Sequence, residues 1–87
     1  MSEGIYRRAL TIFGEVKQID MAIEECAELT LALQHKKRGR AANVITEIAD
    51  VTIMAGQMRL LFGAEAVDAE IENKLKRLEY RLDKVKV

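Results

Sequence analysis

Five carboxylates fall in two short clusters whose spacing invites chemistry. Glu24, Glu25 and Glu28 lie within little more than one helical turn, and Glu47 and Asp50 repeat the i, i+3 relation further on. Between Asp50 and Arg59 the chain reads Val-Thr-Ile-Met-Ala-Gly-Gln-Met, without a charge. A helix that is apolar or neutral on most sides is normally buried, and an ionised acid taken out of water needs a partner. The chain sets few fixed cations beside these acids, and no lysine stands four residues on to neutralise them. A metal ion is the partner that this pattern suggests.

The donor set says which metal. Opposed acid pairs offering only oxygen suit a hard divalent cation, Mg²⁺ or, as a substitute, Mn²⁺. Zinc fits poorly, because Cys26 lies on an apolar stripe and the lone His35 sits near a helix end. A ferritin-like di-iron site needs Glu-x-x-His on two helices, and neither acidic cluster has that histidine. A cation held by carboxylates with water positions left open is suited to phosphoryl transfer. The sequence contains no GxxxxGK[ST] loop, and one His and one Cys cannot build a nucleophilic triad.

Positioning those acids falls to helices. Proline is absent, and Gly14, Gly39 and Gly63 separate apolar-periodic segments, where helix ends are expected. The chain divides into four predicted helices, 3–13, 17–37, 42–62 and 65–85, with no strand-like alternation. Helix one carries Ile5, Leu10, Ile12 and Phe13. On helix two, Ile19, Ala22, Ile23, Cys26, Leu29, Thr30 and Leu33 form the expected core stripe, with Glu25 and Glu28 on the next face beside Met21 and Ala32. On helix three, Val44, Ile48, Val51, Ala55 and Phe62 form the stripe; Glu47, Asp50, Met54, Met58 and Leu61 adjoin it. Helices two and three, joined by a short loop, are expected to pack antiparallel, which would set the acid pairs face to face. Helix four has a narrow seam, Val67, Ile71, Leu75, Leu78, Leu82 and Val85, with Asn73, Lys74, Arg77 and Arg81 outside it.

Length and composition set the frame. The 87 residues make one domain, 1–87, and 49% are hydrophobic, more apolar helix face than one small bundle covers. The expected fold is therefore an all-α, four-helix bundle-like domain assembled as a homo-oligomer, a dimer or tetramer. Fourteen basic residues balance fourteen acidic ones, so no bulk field favours a nucleic-acid polymer or an anionic membrane. No apolar run reaches the length of a membrane span, no signal-peptide pattern opens the chain, and a single cysteine excludes an internal disulfide. These features give the expectation of a cytoplasmic protein.

Glu-Glu-x-x-Glu-Leu at 24–29 followed, with eighteen residues between Glu28 and Glu47, by Glu-x-x-Asp at 47–50 resembles the motif of the all-α nucleoside triphosphate pyrophosphohydrolases, the MazG-like group. That superfamily includes dimeric dUTPases, dCTP pyrophosphatases and phosphoribosyl-ATP pyrophosphohydrolase. The resemblance covers the second and third helices and extends more weakly to Asn73, Lys74 and Arg77. It implies that Glu25, Glu28, Glu47 and Asp50 bind Mg²⁺, with Glu24 as an auxiliary acid. Lys74 and Arg77 would meet the triphosphate, and Asn73 phosphate or sugar. Base contacts would lie near the start of helix two, where Phe13, Gln18 and Met21 are candidates. The implied reaction cleaves between the α and β phosphates, giving a nucleoside monophosphate and pyrophosphate in nucleotide-pool house-cleaning, at sites on subunit interfaces. The competing reading is a non-catalytic oligomeric helical module in regulation, nucleotide sensing or protein interaction, whose acids form a solvated face.

Overall fold

The structure, a computed structural model, describes residues 2–85. Among them are four helices and no strand: α1 (Glu3–Phe13), α2 (Glu15–Lys37), α3 (Val44–Phe62) and α4 (Ala64–Lys84). This is the expected all-α class, with boundaries moved by local chemistry. Gly14 alone separates α1 from α2. Its φ of 92° ends the first helix, its N–H donates to Leu10 O, and its own carbonyl accepts from Gln18 N. Glycine adopts such a backbone without the Cβ clash that penalises other residues. The third helix starts at Val44 because Asn43 caps it, its side-chain oxygen accepting from Thr46 N at 3.3 Å.

The packed body is α1, α2 and α3, with the α2–α3 hairpin at its centre. Its seam runs through Gln18, Met21, Glu25, Glu28 and Ala32 on α2, in three- and four-residue steps. Asn43, Glu47, Asp50, Met54 and Gln57 give the mirrored sequence of steps on α3. That spacing is a heptad-like stripe, but a largely polar one. Ala32, Met54, Gln18 and Gln57 are its buried members.

Part of the expected apolar stripe of α2 faces away from this seam. Ile23 is 62% and Leu33 48% exposed, and Cys26 and Thr30 are exposed with them. On α3, Ile48, Ala55 and Phe62 likewise face outwards. Ile19, Ala22 and Leu29 on α2 and Val44 and Val51 on α3 are half-buried, so within one chain each expected stripe is only partly covered; the hairpin closes on the adjoining polar face.

Helix α1 lies across α3, where Gly56 permits the approach. A Cβ at Gly56 would fall inside the van der Waals envelope of the Tyr6 ring. Gly56→Ala is therefore expected to destabilise by about 1–2 kcal/mol, overpacking outweighing the roughly 1 kcal/mol gain in helix propensity. In a Tyr6→Ala background only the propensity remains, and the substitution should stabilise. Urea midpoints of the four proteins of this cycle check the reversal of sign.

Helix α4 leaves the body. It packs on α3 and on neither α1 nor α2, held at its start by Arg59 and Asp68, whose two hydrogen bonds measure 2.7 and 2.6 Å. The guanidinium holds the Asp68 carboxyl below its ordinary pKa, but both groups are partly exposed, so solvent screens the pair and it adds little to stability. The four helices thus do not close into a bundle within one chain. The Cα radius of gyration is 16.0 Å, against about 12 Å for a compact domain of this length. The accessible surface is 7120 Å², against about 5200 Å² for a compact monomer of this mass.

Candidate metal centre

The antiparallel hairpin brings the two acidic motifs together. The steps from Glu25 to Glu28 and from Glu47 to Asp50 each keep both acids on the seam side of their helix, and the opposite chain directions set Glu25 against Asp50 and Glu28 against Glu47. Glu25 lies within hydrogen-bonding reach of Asp50, and Glu47 of Glu28. One carboxylate oxygen from each of Glu25, Glu47 and Asp50 falls within 4.8 Å of the others. Bonds of about 2.0–2.6 Å from a hard cation to oxygen bridge such a span.

The cluster is electrostatically incomplete. Desolvation raises the Glu25 pKa above 4.5, and the negative charges of Glu28, Asp50 and Glu47 raise it further. Glu47 is raised in the same way, by desolvation first and then by Glu28 and Asp50. Glu25 Oε2 and Glu47 Oε2 are both buried without a hydrogen-bond partner. A proton or a cation at either carboxyl would relieve this charge.

A pH dependence follows with a definite sign. Between 4.5, the ordinary value, and the raised folded values, the native state holds more protons than the unfolded chain. Stability then falls as pH rises. In EDTA, the Tm of the wild type should decrease as pH climbs from 4.5 through the folded pKa values, and the decrease should be smaller in Glu47→Gln. Thermal melts across this range check it; a Tm that rises over the same interval would contradict the cluster's geometry.

The other candidates divide. Glu28 is exposed but borders a cavity of about 230 Å³ with Ala32, His35, Asn43 and Glu47, so it stands at the edge of the cluster. His35, which its place near a helix end made unremarkable, is half-buried in that cavity wall. Glu24 is exposed, one residue and about 100° round the helix from Glu25. Asn73, Lys74 and Arg77 are exposed on α4, which does not touch α2; a single chain does not bring them to the acids.

Gln18 is buried, 5% exposed, and its Nε2 donates to Gln57 Oε1 at 2.6 Å. It borders a second cavity of about 230 Å³ with Phe13, Lys17, Met21 and Met54. Gln57 is a residue that sequence reasoning missed. The mirrored three- and four-residue steps of α2 and α3, read outward from the acids, place it opposite Gln18.

No helix of the described residues is long and apolar enough to cross a membrane. Set against models of known families, curated proteins and solved structures, the chain matches none.

Proposed function

We propose that the protein is a Mg²⁺-dependent nucleotide pyrophosphohydrolase that converts a nucleoside triphosphate and water to a nucleoside monophosphate and pyrophosphate. The observation that carries this reading is the convergence of Glu25, Glu47 and Asp50 across two helices, with two buried carboxylate oxygens left unpartnered. An all-oxygen donor set of this charge fits Mg²⁺ or Mn²⁺. Bound there, such a cation supplies charge neutralisation at phosphate oxygens and lowers the pKa of water.

The protein groups have distinct parts in this reading. Glu25, Glu47 and Asp50 hold the cation, and Glu28 orients Glu47 from the cluster's edge. Glu24 faces solvent beside them, where it can accept a proton from water. Lys74, Arg77 and Asn73 carry the donors suited to a polyphosphate. They act from the α4 of a second copy, because α4 does not reach α2 of its own chain. Gln18 serves the nucleoside end of the substrate. The excess accessible surface, about 1900 Å² over a compact monomer, exceeds the roughly 800 Å² per partner of a standard interface and supports a homodimer or homotetramer. The nucleotide-pool role and cytoplasmic location belong to the same proposal.

The test is pyrophosphate release from a panel of ribo- and deoxyribonucleoside triphosphates, with Mg²⁺ and with EDTA. Metal-dependent release is the expected result. No release from any substrate, together with no Mg²⁺ binding by calorimetry, would overturn the reading in favour of a non-catalytic helical module.

A further inference from the structure

Two helical turns from the acids, the seam buries two amides. Gln18 and Gln57 are each 5% exposed, and they are the buried polar residues of the described chain. Two leucines at these positions would need no polar pairing, whereas a buried amide is costly unless its hydrogen bonds are made. The pairing here is incomplete. Gln18 Nε2 donates to Gln57 Oε1 at 2.6 Å, and Gln57 Nε2 donates to the Met54 sulfur at 3.7 Å. Gln18 Oε1 accepts from none of the described residues and, unlike Glu25 Oε2 and Glu47 Oε2, is not a buried orphan; it stays open in the wall of the cavity that Gln18 shares with Phe13, Lys17, Met21 and Met54.

We propose that this cavity takes the base of the nucleotide, and that Gln18, oriented by Gln57, selects bases carrying an exocyclic amino group. The inference rests on the nucleotide reading above and adds the substrate class. The walls suit a flat heterocycle, with one aromatic ring and two polarisable thioethers. The cation among them, Lys17, lies over the Phe13 ring, 5.5 Å from its centroid. Gln18 precedes Glu25 by seven residues and Gln57 follows Asp50 by seven, about 10 Å along either helix. A ribose bridges that gap between a base and its α-phosphate.

The selection comes from the direction of the amide pair. The Met54 sulfur accepts from Gln57 Nε2, so reversing the Gln57 amide would set its carbonyl against the sulfur lone pairs. With the Gln57 carbonyl kept towards Gln18, the Gln18 amide nitrogen points to it and Oε1 remains as an acceptor. An acceptor pairs with the amino group of cytosine or adenine and repels the oxo group that replaces it in uracil or hypoxanthine.

The experiment compares kcat/KM for CTP against UTP and for ATP against ITP, in the wild type and in Gln57→Leu. In parallel, the side-chain ¹H–¹⁵N amide signals of Gln18 and Gln57 in the wild type are followed on adding cytidine or uridine, which carry no phosphate. A preference for the amino partner of about 10–100-fold is expected, falling towards unity in Gln57→Leu, with cytidine moving the amide signals more than uridine. Equal use of amino and oxo substrates by the wild type, or amide signals that no nucleoside moves while pyrophosphate is released, would overturn the pocket assignment alone. Amide signals moved by cytidine without cleavage of any triphosphate would overturn the reaction and support the pocket. Neither response would remove both.

Discussion

Glu47→Gln should abolish pyrophosphate release, with a loss on the order of 10³-fold or more, the consequence of several kcal/mol removed from the transition state. The same substitution should make the metal-free protein more stable above pH 4.5. The two effects have one origin. Glu47 is held above the ordinary carboxylate pKa by desolvation and by Glu28 and Asp50, so its charge is unfavourable in the metal-free folded chain. An amide of the same shape carries no charge to desolvate. On the proposed reading, a cation bound by the wild type would supply what the fold withholds. At a Mg²⁺ concentration one hundred times its dissociation constant, binding contributes about 2.7 kcal/mol, and the Tm of a chain this size should rise by about 10–20 °C. Glu47→Gln should gain much less from Mg²⁺. Thermal melts in EDTA and in Mg²⁺, run beside the activity assay, check the pattern. If Glu47 only solvated a helix face, the variant would keep its Tm in both buffers.

The helices were legible because their ends are written in single residues. Gly14, Gly39 and Gly63 each have positive φ, and Asn43 caps α3 as its side chain permits. The convergence of the acid motifs followed from their equal i, i+3 spacing and the short α2–α3 connection. The face on which α2 meets α3 was not legible from hydrophobicity. Its seam is built from Gln18, Glu25 and Glu28 against Glu47, Asp50 and Gln57, polar residues that a hydrophobic count assigns to solvent. Meanwhile Ile23, Leu33, Ile48 and Phe62, which such a count assigns to the core, stand exposed. Hydrophobic periodicity reports which faces avoid water in the final assembly; it does not say whether the covering element comes from the same chain. The mirrored heptad steps carried the missing information about Gln57. The placement of α4 had no comparable signal, because its seam is a generic bundle stripe and the Arg59–Asp68 pair at its start is a contact between two residues that are ordinary on a helix surface.

Mixing two inactive variants should restore activity. One is Glu47→Gln, with the acid cluster disabled and α4 intact; the other carries Lys74→Ala and Arg77→Ala, with the acids intact. The prediction rests on what α4 fails to do in its own chain. It packs on α3 alone, and its apolar Ile71, Leu75, Leu78 and Leu82 are exposed. The outward faces of α2 and α3 offer Ile23, Leu33 and Ile48, a surface of matching chemistry for an arm from a second copy. If a two-fold dimer forms its sites in this way, half of a random mixture is heterodimer. Each heterodimer then has one site with both parts intact, so activity should return to about a quarter of the wild-type value. Light scattering should give each variant a mass of at least twice 9.8 kDa, since neither substitution touches the apolar contacts. Dimers that exchange chains yet stay inactive would show that α4 does not supply the partner's site. A monomer at micromolar concentration would remove the shared site altogether, and with it the explanation for an apolar surface that the described residues leave open.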